Sequence, residues 1–102
     1  MSAPPYSLVY TNEADAVLVD LQSQPQHAVK FKKVIKTLWL LQHQGPRHPS
    51  LNSHLYQSVP GPDGAPLWES YVENKTPGAW RIWWIYGPAP DTITIVTIGP
   101  HP

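Results

Sequence analysis

Residues 67–102 read LWESYVENKTPGAWRIWWIYGPAPDTITIVTIGPHP. Three runs rich in aromatic and β-branched residues, 67–73, 80–86 and 92–98, are separated by Asn74-Lys75-Thr76-Pro77-Gly78 and Gly87-Pro88-Ala89-Pro90-Asp91. Such runs fit the pleated surface of a strand, and Gly, Pro, Asn and Asp supply turn chemistry, so three strands joined by short antiparallel connections are predicted. Side chains alternate faces along a strand. Leu67, Glu69, Tyr71 and Glu73 therefore share one face, opposite Trp68, Ser70 and Val72; in the next strand Arg81, Trp83 and Ile85 oppose Trp80, Ile82, Trp84 and Tyr86. A loop over residues 74–78 pairs Glu73 with Ala79, Tyr71 with Arg81 and Glu69 with Trp83. That register gathers Glu69, Tyr71, Arg81 and Trp83 on one face; a slip of one residue would exchange the faces.

Upstream, residues 54–59 form a further strand-like run, closed by Pro60-Gly61-Pro62-Asp63-Gly64, and residues 6–10 (YSLVY) another. Two helices lie between. Asn12 is a candidate cap, with Glu13 and Asp15 in a first turn where the helix dipole favours negative charge. Ala14, Val17, Leu18 and Leu21 then recur at helical spacing. Pro25 breaks this helix, and Ser23-x-x-Gln26 is a candidate capping box for a second over residues 26–44. Its expected core stripe is Phe31, Val34, Ile35, Leu38 and Leu41, and Gly45-Pro46 ends it. The order strand, helix, helix, then four strands predicts an α+β fold: a β-α-α-β-β-β-β chain, with a two-helix hairpin on one face of a mostly antiparallel sheet and the other face open.

With 102 residues and 41% hydrophobic content the chain is expected to form a single domain over residues 1–102 around one core. Cysteine is absent, so neither a disulfide framework nor a thiolate metal site is available. The N-terminus is neither basic nor followed by an unbroken apolar run, and no stretch approaches the roughly 18 apolar residues of a membrane span, so a cytoplasmic location is expected. Net charge is zero, which argues against a general nucleic-acid binder, although Lys30, Lys32, Lys33, Lys36 and Arg47 cluster in one region. No phosphate-binding glycine loop, zinc spacing or nucleophile elbow occurs, so no metal and no cofactor are expected. His43 and His48 are read as solvated side chains, since Gly45-Pro46 breaks the helix between them.

The pattern W-E-x-Y at Trp68–Tyr71, then W-R-I-x-W-x-Y at Trp80–Tyr86, then an apolar strand closing on His101, resembles the RelE/ParE toxin superfamily. The likeness in layout covers nearly the whole chain, whereas the residue-level likeness is confined to Trp68–Tyr71, Arg81–Tyr86 and His101. It implies a toxin of a type II toxin–antitoxin pair acting as a metal-independent, ribosome-dependent mRNA endoribonuclease, in which a ribose 2′-OH attacks the adjacent phosphorus. Glu69 then matches the general base, Arg81 the phosphate clamp and His101 the general acid. Tyr71 and Trp83 are expected to stack on bases, with Lys75 and Arg47 as further substrate contacts. Many ribosome-dependent members are strongly basic, and this chain has only Lys75 and Arg81 after Arg47. Two other readings stand beside the first: a non-nuclease toxin inhibiting DNA gyrase, and a catalytically silent protein-binding member.

The implied partners are a cognate antitoxin together with the ribosome and mRNA, or gyrase; no membrane is expected. Projected at about 100° per residue, the second helix sets Leu40 among Val29, Lys33 and Lys36, opposite its core stripe. An apolar residue between lysines fits a groove for an antitoxin segment.

Overall fold

The computed structural model describes residues 3–102. Its elements are β1 (Ser7–Tyr10), α1 (Asn12–Ser23), α2 (Ala28–His43), β2 (His54–Leu55), β3 (Trp68–Tyr71), β4 (Trp80–Tyr86) and β5 (Thr92–Pro100). The cap of α1 is Thr11, one residue before the predicted Asn12: its side chain accepts a hydrogen bond from the Ala14 N–H. Ser23 ends α1 and does not cap the next helix; its hydroxyl donates to the Asp20 carbonyl. Pro25–His27 form a single tight helical turn, and α2 follows from Ala28.

The five strands run in the order β1-β5-β4-β3-β2. β1 pairs parallel with β5 and every other neighbour is antiparallel, which gives the mostly antiparallel sheet expected. β2 is shorter than the run 54–59 from which it was predicted. Both helices cover one face. Ala14 and Leu21 of α1 and Val34, Leu38 and Leu41 of α2 pack into one cluster with Ile82, Trp84, Ile93, Ile95 and Ile98 of the sheet. Ile35 departs from the predicted stripe: it is exposed, and Thr37 is buried in its stead, because the inward direction of α2 runs through Val34, Leu38 and Leu41.

A bulge lets β5 supply three core isoleucines of mixed parity. Trp83 pairs with Thr97 but Trp84 with Ile95, so Val96 is the extra residue and Ile98 returns to the inward face. The Val96 carbonyl accepts from the Thr11 hydroxyl at 2.6 Å, tying the start of α1 to the bulge. Trp84, fully buried, donates its indole N–H to Ser70 Oγ at 2.8 Å, so its one polar atom is satisfied inside the core.

Candidate functional site

The β3–β4 register is the predicted one: Tyr71 lies opposite Arg81 and Glu69 opposite Trp83. Glu69, Tyr71, Arg81 and Trp83 consequently share the face turned away from the helices. The register breaks after Tyr71. The N–H groups of Val72 and Glu73 both donate to the Trp80 carbonyl, each at 3.1 Å, so two residues oppose one. This bulge carries Glu73 away from Glu69, where alternation had placed it, and toward α2. There its carboxylate takes Lys30 and, at 3.1 Å, Lys33, and accepts the Trp80 N–H at 3.1 Å. Burial pushes the Glu73 carboxyl upward, but the hydrogen bonds from Lys30, Lys33 and Trp80 and the charge of Lys30 outweigh it and hold the group down at about 2.

The second sheet face is not open. Glu69, Arg81 and Trp83 are 2%, 8% and 7% exposed. The segment between β2 and β3 folds back over them. Tyr56 meets the Trp83 ring edge-on with centroids 5.8 Å apart, and Gly61 lies so close to β4 that a Cβ there would sit 2.8 Å from Ile85 Cγ2. The turn-forming residues 60–64 thus build a cover as well as a connection.

Within that cover Glu69 meets two imidazoles. His54 Nε2 lies 2.8 Å from Oε1 and His101 Nε2 lies 3.6 Å from Oε2, and both histidine side chains are nearly half exposed. Oε2 is buried without a hydrogen-bond partner among the described residues. His101 is held at the rim by its backbone N–H, which donates to the Ala79 carbonyl at 2.9 Å. The guanidinium of Arg81 lies over the Tyr71 ring, Cζ 3.7 Å from its centroid, and Nη1 donates to the carbonyls of Glu73 and Trp80. Its Nε, like the indole nitrogen of Trp83, is buried with no partner among the described residues. The result is a carboxyl group, two imidazoles and a stacked guanidinium on one sheet face, residue types able to accept a proton, donate one and carry positive charge.

The structure thus brings Glu69, Arg81, His101, Tyr71 and Trp83 together. It does not bring Arg47 to them: Arg47 lines a cavity of about 680 Å³ with Trp68, Trp84 and Tyr86 on the helix-facing side. Lys75 is exposed at the tip of the β3–β4 turn, in the left-handed region at φ 61°. Leu40 is not set opposite the core. It is partly buried, packs against the core cluster and floors a groove of about 310 Å³ with Lys33 and Lys36 on its walls. Val29 stands exposed elsewhere on α2. Sequence reasoning missed His54 as a site residue. Its signal was the strand position itself, since β2 aligns His54 directly with Glu69. Among the described residues no group of three or more His, Asp or Glu is disposed to hold a metal ion, and no helix is long and apolar enough to cross a membrane.

No protein-family model matches the chain, and no curated protein sequence matches it. Solved structures do. The YoeB/ParE toxin from Agrobacterium tumefaciens matches with a TM-score of 0.69 at 12% identity, over 94% of this chain and 99% of that one. The YoeB dimer from Staphylococcus aureus matches at 0.66 and 11% identity, over 96% and 99%. RelE in the archaeal RelE–RelB complex from Pyrococcus horikoshii matches at 0.63 and 12% identity, over 94% of each chain. The fold is the RelE/ParE toxin fold.

Proposed function

We propose that this chain is the toxin of a type II toxin–antitoxin pair and that it cleaves mRNA bound to the ribosome. The observation that carries the reading is the convergence of Glu69, His101 and Arg81 on one sheet face, with a carboxylate oxygen left unpaired. In the reaction a ribose 2′-oxygen attacks the adjacent phosphorus, its proton passes to Glu69 Oε2, and the bond from phosphorus to the 5′ oxygen breaks. A 2′,3′-cyclic phosphate and a free 5′-OH result, the latter taking its proton from His101. Arg81 meets the charge growing on the non-bridging oxygens. His101 Nε2 stands 3.6 Å from Oε2, so the base and the acid lie side by side. Tyr71 supplies aromatic surface beside the scissile step, whereas Trp83, covered by Tyr56, is too buried to stack on a base.

A specific observation favours a second reading, a toxin that inhibits DNA gyrase without cutting RNA. Net charge is zero, and two of the clustered lysines, Lys30 and Lys33, are already engaged by Glu73. Little free cationic surface is left for RNA. A catalytically silent, protein-binding member is the third reading.

The archaeal neighbour was solved in complex with RelB, and a cognate antitoxin is the partner proposed here. The groove floored by Leu40 offers Lys36 to an acidic segment carrying an apolar residue, Lys33 being held by Glu73 at its wall. A ribosomal target implies the cytoplasm. The test is single-turnover cleavage of mRNA, with and without programmed ribosomes, run beside a gyrase supercoiling assay. Ribosome-dependent cutting supports the nuclease; loss of supercoiling without cutting overturns it in favour of the gyrase poison. Absence of both leaves the binding module.

A further inference from the structure

We infer that His54 is a positioning residue for Glu69, one that decides which carboxylate oxygen is free to react; the inference rests on the nuclease reading and extends it. His54 opens β2 and aligns with Glu69 across the strand pair. Its ring is fixed on three sides. Nδ1 lies 2.7 Å from the Asn52 carbonyl, and a carbonyl only accepts, so Nδ1 carries hydrogen. Asn52 holds that carbonyl in place from a left-handed conformation at φ 47°, which asparagine tolerates better than most residues. The ring meets the Tyr71 ring edge to face, centroids 5.8 Å apart.

The remaining nitrogen, Nε2, faces Glu69 Oε1 at 2.8 Å. That contact gives a carboxyl group only 2% exposed the polar partner its burial requires. The neighbouring residue is anchored as well: Ser53 Oγ lies 2.7 Å from Ser70 Oγ, which accepts from the Trp84 indole. His54 therefore rests on the core, not on a loose loop. With Oε1 occupied, Oε2 is the one carboxylate oxygen left, and it faces His101 at 3.6 Å, beyond hydrogen-bond reach. His54 itself has no nitrogen free for substrate. Its effect passes through Glu69, by holding the carboxyl group turned so that base and acid face the same phosphate from neighbouring positions.

The experiment compares His54→Ala and His54→Gln with the parent in ribosome-programmed cleavage. Misorienting a reacting group by about 1 Å costs up to about 100-fold. His54→Ala is expected to lower the maximal rate about 10- to 100-fold with little change in the substrate concentration giving half-maximal rate. His54→Gln, whose amide can still donate to Oε1, should recover part of that loss. A second readout is independent of cleavage: in side-chain ¹⁵N spectra the His54 Nε2 resonance should move in Glu69→Gln, while Nδ1 keeps its bond to Asn52. An active parent with an unaffected His54→Ala, or a His54 Nε2 resonance that Glu69→Gln leaves unmoved, overturns the role while leaving the nuclease reading intact. A parent that cuts no RNA overturns the nuclease reading and this role together, and the spectra then report only the contact.

Discussion

Replacing Glu73 by Gln should weaken the fold at neutral pH and leave it nearly unchanged at pH 2. The carboxyl is held at about 2 against an ordinary value of 4.5. Each tenfold difference in proton affinity between folded and unfolded chain is about 1.4 kcal/mol, so the ceiling is about 3 kcal/mol. The Lys30 and Lys33 side chains are 27% and 49% exposed, and water and salt screen their attraction, which brings the expected loss to about 1–2 kcal/mol. The sign follows from the direction of the shift. A folded-state value below the unfolded one gives stability that is fully present above about pH 5 and lost as pH falls toward 2. Urea unfolding followed by tryptophan fluorescence, for parent and Glu73→Gln at pH 7, 4 and 2, measures the difference at each point. Other carboxyls titrate in both proteins and cancel. A gap that is absent at pH 7, or that persists unchanged at pH 2, would refute the assignment of this ion pair.

Arg81→Ala should reduce ribosome-dependent cleavage about 100-fold or more in single-turnover kinetics. It should also lower the melting temperature, since Arg81 is buried against Tyr71 and not displayed on an open face. His101→Ala should slow the same reaction by about 100- to 10,000-fold with an unchanged melting temperature, its side chain being half exposed. Ser70→Val leaves the Trp84 indole N–H buried without a partner and should cost about 1–3 kcal/mol in urea unfolding.

The β3–β4 hairpin was legible because its two strands alternate cleanly and the loop between them fixes their register, and with them the company of Glu69, Tyr71, Arg81 and Trp83. The fate of Glu73 was not. Its displacement depends on lysines from α2, more than forty positions away in sequence for Lys30, and alternation sees only neighbours. The covered face escaped for a related reason. Turn residues 60–64 announce that the chain reverses but not where the loop lies, and the approach of Gly61 to Ile85 is a tertiary fact. Ile35 was misplaced by one step of a helical wheel, where a 100° rotation separates core from rim. His54 carried no motif. It became a site residue only through the pairing of a strand two residues long.

β1 cannot join the sheet until β5 exists, since the contact from Thr11 to Val96 spans 85 positions. Closing a loop of that length costs about 4 kcal/mol in chain entropy, against about 1.4 kcal/mol for five residues. The hairpin carrying Glu69 and Arg81 can therefore zip early, while the parallel pair closes late and sets the folding rate. Until then Thr92–Ile95 of β5, the stretch that β1 pairs, stand as an unpaired edge, the kind of surface through which nascent chains aggregate. Pulse-labelled amide exchange during refolding should find Ser7–Tyr10 protected last. The four residues of β1 then serve as a late-arriving guard over that stretch.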